Sequence, residues 1–194
     1  QRRRLSPAAR LVFDAAWPLA EEFPNCPLVY ASHDGEINRS FELWQSLLRE
    51  QTVSPASFGL SVHNALAGQW SMLRQDMSEN TALSADQDSL ESALAEAYAL
   101  LQEGADKVWV VLADEPLHTE YAVNAERAPF AHALAMGLEA GDDYRISLLP
   151  PDAAANPPSS PYWGALEWIR FMLSDRHQFE RNGSKRRWLW QKNR

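Results

Sequence analysis

The sequence predicts an α/β layered fold, and three observations carry that expectation. Leu28-Val29-Tyr30-Ala31 and Val108-Trp109-Val110-Val111-Leu112-Ala113 are unbroken apolar runs, the pattern of strands covered on both faces. The segments before, between and after them place apolar residues at helical spacing. Helix and buried strand alternate along the chain, as they do when helices pack on a sheet. At 194 residues, with 45% hydrophobic and 23% charged, the chain is long enough to bury one sizeable core.

In chain order, Ser6-Pro7 reads as a helix start, with Ser6 as cap and Pro7 in the first turn. Leu11, Val12, Ala15, Ala16 and Leu19 continue it, and Pro24 and Pro27 close the segment. The short strand Leu28–Ala31 ends at the turn signal Asp34-Gly35. Phe41, Trp44, Leu47 and Leu48 predict a second amphipathic helix, broken at Ser54-Pro55. Asn64 is expected to cap a buried helix through Ala65, Leu66, Ala67, Gly68, Trp70 and Met72, with Gly68 marking close approach of another backbone. Ser84-x-x-Gln87 reads as a capping box, with Asp86 and Asp88 suited to the positive end of the helix it opens. That helix shows Leu90, Leu94, Ala97 and Leu101 on one face and stops at Gly104.

After the strand 108–113, Phe130 to Leu138 and Tyr144 to Leu149 predict two more strands, separated by Gly141-Asp142-Asp143. Pro150 to Pro161 is the linker of the chain, followed by a helix from Tyr162 to Leu173. Arg187-Trp188-Leu189-Trp190 is expected to be an edge strand with both tryptophans on one face. The expected organisation is therefore one domain, 1–194, with a main body over 1–149, a loop over 150–161 and a carboxyl-terminal helix and strand over 162–194.

Composition and spacing exclude much chemistry. The net charge of −8 is uneven: Arg2, Arg3 and Arg4 and the six basic residues of 181–194 are nine positive charges, which leaves −17 for residues 5–180. An acidic body with basic ends argues against nucleic-acid binding, which needs a wider basic field. The basic ends suit an acidic partner or another part of this chain. No G-x-G-x-x-G or phosphate loop occurs, so no nucleotide cofactor is expected. The histidines (33, 63, 118, 132 and 177) lack H-E-x-x-H spacing, and His118-Thr119-Glu120 lacks the C-x-x-C a deaminase needs, so no metal is expected. The single cysteine, Cys26, excludes an internal disulfide framework and suits a reducing, cytoplasmic setting. No apolar run is long enough to span a bilayer, while the opening on Gln1 leaves a preceding targeting segment open. Ser84 lies on no G-x-S-x-G elbow, and a helix cap accounts for it better than a nucleophile does.

Three stretches together resemble the amino-terminal half of a β-ketoacyl synthase of the thiolase superfamily. Arg2-Arg3-Arg4-Leu5-Ser6, opening a helix, resembles the family's early R-R-x-S segment. The run Ser54-Pro55-Ala56-Ser57-Phe58-Gly59-Leu60-Ser61-Val62-His63-Asn64-Ala65-Leu66-Ala67-Gly68 resembles the stretch before the nucleophile, closest to ketosynthase-like proteins of aryl polyene and related polyketide clusters. Thr81-Ala82-Leu83, a long helix, Gly104-Ala105-Asp106 and the strand to Ala113-Asp114-Glu115 resemble T-A-C, helix, G-x-x-D, strand. The order and spacing hold over roughly residues 2–138.

The resemblance implies half of a thiolase-like layered fold: a central mixed sheet flanked by helices, lacking the second ketosynthase half. It places Leu83 where the catalytic cysteine belongs, and leucine has neither a nucleophile nor a proton to lose. Cys26 lies elsewhere in the pattern. The catalytic histidines of the second half, which stabilise charge during condensation, have no counterpart in this sequence. The implied role is a silent, chain-length-factor-like subunit. It would pair with an active ketosynthase, working on acyl carrier protein thioesters of polyketide or fatty-acid type.

By the same resemblance, the strand before Leu83, from Met77 through Thr81 to Ala82, pairs with the partner, and Phe58, Leu66, Trp70 and Leu83 shape the acyl tunnel at the interface. Ordinary core packing is the competing reading of each. Two alternatives stand beside it. One is a serine acyltransferase or thioesterase using Ser84 with His63, although His63 beside Asn64 reads better as a structural or interface residue. The other is an acyl-carrier-protein docking protein acting through Arg186 and Arg187.

Overall fold

The structure, a computed structural model, describes residues 5–85, 87–121, 128–150, 164–183 and 186–193. The arginine-rich opening, the linker from residue 151 onward, Tyr162 and Asp86 lie outside these residues.

Helix α1 spans Pro7–Glu22, with the Ser6 hydroxyl accepting from the Ala9 N–H as expected. Strand β1, Leu28–Ser32, is buried at every position. Helices α2 (Ile37–Glu50), α3 (Pro55–Gly59) and α4 (Ala65–Arg74) lead to β2, Asn80–Ser84. Then come α5 (Ser89–Gln102), β3 (Val108–Asp114), β4 (His132–Leu138) and β5 (Tyr144–Leu149). Helix α6 (Gly164–Leu173) and strands β6 (Gln178–Asn182) and β7 (Arg187–Lys192) complete the described chain.

The first sheet runs β2-β1-β3-β4, with β2, β1 and β3 parallel and β4 antiparallel, so it is mixed as expected. One face carries α1 and α4 around Val12, Phe13, Tyr30, Leu66, Trp70 and Val111. The other carries α5 and, beyond it, α6 and the second sheet around Val29, Ala93, Val110, Trp168 and Trp190. Both faces of β1 and β3 are covered, which explains why their sequences do not alternate. Each fully enclosed Val or Leu there contributes roughly 1.5–3 kcal/mol.

Several local expectations are corrected. β7 is the central strand of a second sheet, β5-β7-β6, rather than an edge strand. Trp188 and Trp190 do share a face of it, packed toward α5 and α6. The two strands expected on either side of Gly141-Asp142-Asp143 both form, and that turn carries the chain from one sheet to the other. The capping box fails: Ser84 is the last residue of β2, and α5 starts five residues later, behind Asp88. Asn64 occupies the cap position of α4 without a side-chain capping bond. No backbone closes on Gly68, because a Cβ there would meet nothing within 4 Å among the described residues. Helix α2 buries only Asn38, and its apolar residues Trp44, Leu47 and Leu48 face solvent instead of a core. That helix ends at Gln51 in a left-handed conformation, and Ser54-Pro55 opens the next helix rather than breaking this one.

Candidate functional site

The candidate site lies along β2, the outer strand of the parallel part of the first sheet. The Leu28 N–H donates to the Glu79 carbonyl, which fixes the phase of the parallel ladder. By alternation, the peptide groups of Thr81 and Leu83 face β1, and those of Asn80, Ala82 and Ser84 face outward. Among the described residues no further strand pairs with that side. An edge of this kind is a template for another chain.

Side chains alternate across the same strand. Thr81 and Leu83 point toward α5: the Thr81 hydroxyl donates to Glu96 on that helix, and Leu83 packs against the core containing Leu90, Ala93 and Leu94. Ala82 points to the α1 and α4 side. Leu83 therefore sits within a strand and is half-buried, well before the first turn of α5.

His63 joins this strand to the rest of the site. Its Nε2 lies 2.8 Å from the Leu83 carbonyl, an acceptor only, so Nε2–H donates. Its ring stacks on buried Tyr30, with centroids 5.5 Å apart. The Ser84 hydroxyl donates to the His33 carbonyl at 3.2 Å, rather than to His63. The structure thus gives Ser84 and His63 different partners and does not bring them together as a nucleophile and base.

The remaining candidates separate by exposure. Leu66 and Trp70 are enclosed in the first core, where Trp70 packs edge-on against Phe13 and Trp17 and lies under the Arg74 guanidinium. Phe58 on α3 is 61% exposed and Met77, just before β2, is 92% exposed. At the far end of the chain the basic residues meet acids of this same chain. Arg186 pairs with Asp88 at 3.1 Å, and Arg187 with Glu180 at 2.9 Å. Arg181 is almost wholly buried between Glu91 and Glu167 and donates to the Gln87 carbonyl, while the Trp190 indole donates to Glu91. Arg181 and Arg186 are thus counterions of α5 and α6.

Sequence reasoning missed a group of acids at the carboxyl ends of β1 and β3. Asp114 accepts the His33 N–H, Glu115 accepts from Asn38 and from the Ala8 N–H, and Glu36 accepts the Ser6 hydroxyl. Asn38 also accepts the His118 N–H, which fixes the loop leaving β3. Burial pushes the Glu36 and Asp114 carboxyls above their ordinary range, against the hydrogen bonds each receives. These groups spend their oxygens on the fold. Among the described residues no group of His, Cys, Asp or Glu could hold a metal, and no helix is long and apolar enough to cross a membrane.

A mixed sheet with three parallel strands, helices on both faces and one open parallel edge is a layered α/β architecture, and it matches the amino-terminal half of the thiolase-like fold. The chain belongs to the β-ketoacyl synthase amino-terminal domain family, whose model matches residues 1–191. A solved ketosynthase (ApeO) in complex with its chain length factor (ApeC), from Xenorhabdus doucetiae, contains a chain similar to this one. The TM-score is 0.88 at 25% identity, over 98% of this chain and 79% of that one. The ishigamide ketosynthase/chain length factor matches with a TM-score of 0.61 at 15% identity, over 75% and 49%, a likeness of fold. No curated protein sequence matches.

Proposed function

We propose that this chain is a catalytically silent, chain-length-factor-like subunit that pairs with an active β-ketoacyl-acyl carrier protein synthase and shapes its acyl tunnel. The observation that carries the reading is the open edge of β2 with leucine at position 83. A strand whose outward peptide groups at Asn80, Ala82 and Ser84 await a partner is paired with a site that holds no nucleophile. The similarity to a chain in a ketosynthase–chain length factor complex supports it. The product is of polyketide, aryl polyene or fatty-acid type, carried on acyl carrier protein that this chain meets directly or through the partner.

The mechanism is steric. The partner's cysteine holds the growing chain, and apolar side chains beside the joined strands limit its extension. Phe58 and Met77 have the exposure such contact requires, whereas Leu66 and Trp70 act from behind as packing. Co-expression with an active ketosynthase from the same source, followed by size exclusion at micromolar concentration, should give a co-eluting pair. Separate elution overturns the reading. In the reconstituted pair, Phe58→Ala should lengthen the product distribution without loss of turnover, and unchanged lengths remove Phe58 from the tunnel.

A further inference from the structure

The chain leaves the first sheet after β1, turns at Asp34-Gly35, runs through α2 and α3, and comes back at His63. The two ends of this excursion touch. A Cβ added at Gly35 would lie 2.5 Å from His63 Nδ1, and Gly35 has φ +58°, a conformation that suits glycine. The Gly35 N–H donates to the Ser32 hydroxyl at 2.9 Å. One turn outward, the Ser40 hydroxyl donates to the Ser61 carbonyl at 3.2 Å. The base of the excursion is therefore closed by an imidazole seated on a glycine, with Tyr30 stacked on it. The same imidazole holds the Leu83 carbonyl at the end of the open edge.

We propose that His63 is a positioning residue: through one ring it sets the carboxyl end of β2 against the turn after β1 and against the helical excursion 36–62. Its bearing on a partner rests on the interface proposed above. Adding a strand to an edge requires the peptide groups of Asn80, Ala82 and Ser84 to hold one line. The inner side of β2 is tied along its length by β1, while the segment beyond Leu83 crosses five residues before α5 begins. Two side chains reach that end: the Ser84 hydroxyl ties it to the His33 carbonyl, and His63 ties it both to the turn after β1 and to the excursion. The excursion it closes carries exposed Trp44, Leu48 and Phe58, so its orientation relative to the edge is set at the same point.

The test uses three variants of the whole chain: His63→Ala, His63→Gln and Ala82→Pro. Glutamine places an amide N–H near the position of Nε2 and can still donate to the Leu83 carbonyl. Hydrogen exchange of the isolated chain is read at Leu83 and Ala85, whose N–H groups face β1, and across residues 36–62. Dissociation constants with the active ketosynthase are measured in parallel. His63→Ala should raise exchange at these amides at least tenfold and weaken the complex about tenfold, and His63→Gln should recover most of both.

Unchanged exchange in His63→Ala overturns the positioning role, whatever the partner does. Raised exchange with unchanged affinity, while Ala82→Pro abolishes the complex, refutes the role toward the partner and leaves the interface standing. If Ala82→Pro also leaves the complex intact, the interface reading fails, and the exchange data alone decide whether His63 fixes the strand.

Discussion

Leucine 83 and histidine 63 show how much a single position depends on its backbone setting. A cysteine is activated at a helix amino terminus or beside a cation. Leu83 is neither: its side chain packs under α5 and its carbonyl is bonded to His63. Leu83→Cys should therefore not restore acyl loading, as followed by mass spectrometry of the intact protein with an acyl thioester. Gly35→Ala should destabilise the chain by roughly 2 kcal/mol or more, from the left-handed backbone and the collision with His63 together. Thermal unfolding should show less damage from Gly35→Ala in a His63→Ala background, because one of the two causes is gone. Trp70→Ala removes a ring enclosed by Phe13 and Trp17 and should cost about 3–5 kcal/mol in denaturant titration. At this scale the sequence marked Leu83 through its neighbours Thr81 and Ala82. It was silent on the Gly35–His63 contact, because the two residues are remote in sequence and meet only when the excursion between them closes.

Elements were legible where one signal dominated. The unbroken apolar runs of β1 and β3 announced strands buried on both sides, and Ser6-Pro7 announced α1. They failed where a short motif stood for geometry. Ser84 and Gln87 satisfy a capping box on paper, but parallel pairing with Ser32 keeps Ser84 in the strand and delays the helix to Ser89. The tail was misjudged for a similar reason. Arg187 to Trp190 alternates as an edge strand would, but β5 and β6 flank it on both sides. For β2 the alternation makes a sharp expectation. The Ala82 N–H faces away from β1, so Ala82→Pro removes no bond to β1 and should leave the melting temperature within a few degrees of native. The same change should abolish co-elution with the ketosynthase. Loss of the fold itself would show that the outward N–H already has a structural partner.

For the whole molecule, the buried carboxyls set the response to pH. Glu36 and Asp114 hold their protons more tightly in the folded chain than in the unfolded one, where carboxyls ionise at roughly pH 4. Their contribution to stability is therefore full below that pH and is lost as pH rises through the folded values. Urea midpoints should fall as pH climbs out of the carboxylate range, and Glu36→Gln with Asp114→Asn should flatten the dependence. The charge asymmetry seen in the sequence finds its place at the same scale. Arg181 and Arg186 of the basic tail bind Glu91, Glu167 and Asp88 of the acidic body. Burying Glu91 without its guanidinium would leave an uncompensated charge, and breaking such a pair costs about 3–5 kcal/mol. During synthesis α5 leaves the ribosome about ninety residues ahead of Arg181, at roughly 5–20 residues per second. For those seconds the nascent sheet can form but cannot close over α5. The arrival of Arg181 is thus a timing signal: strands made long after α5 are the ones that permit the middle of the chain to become dry.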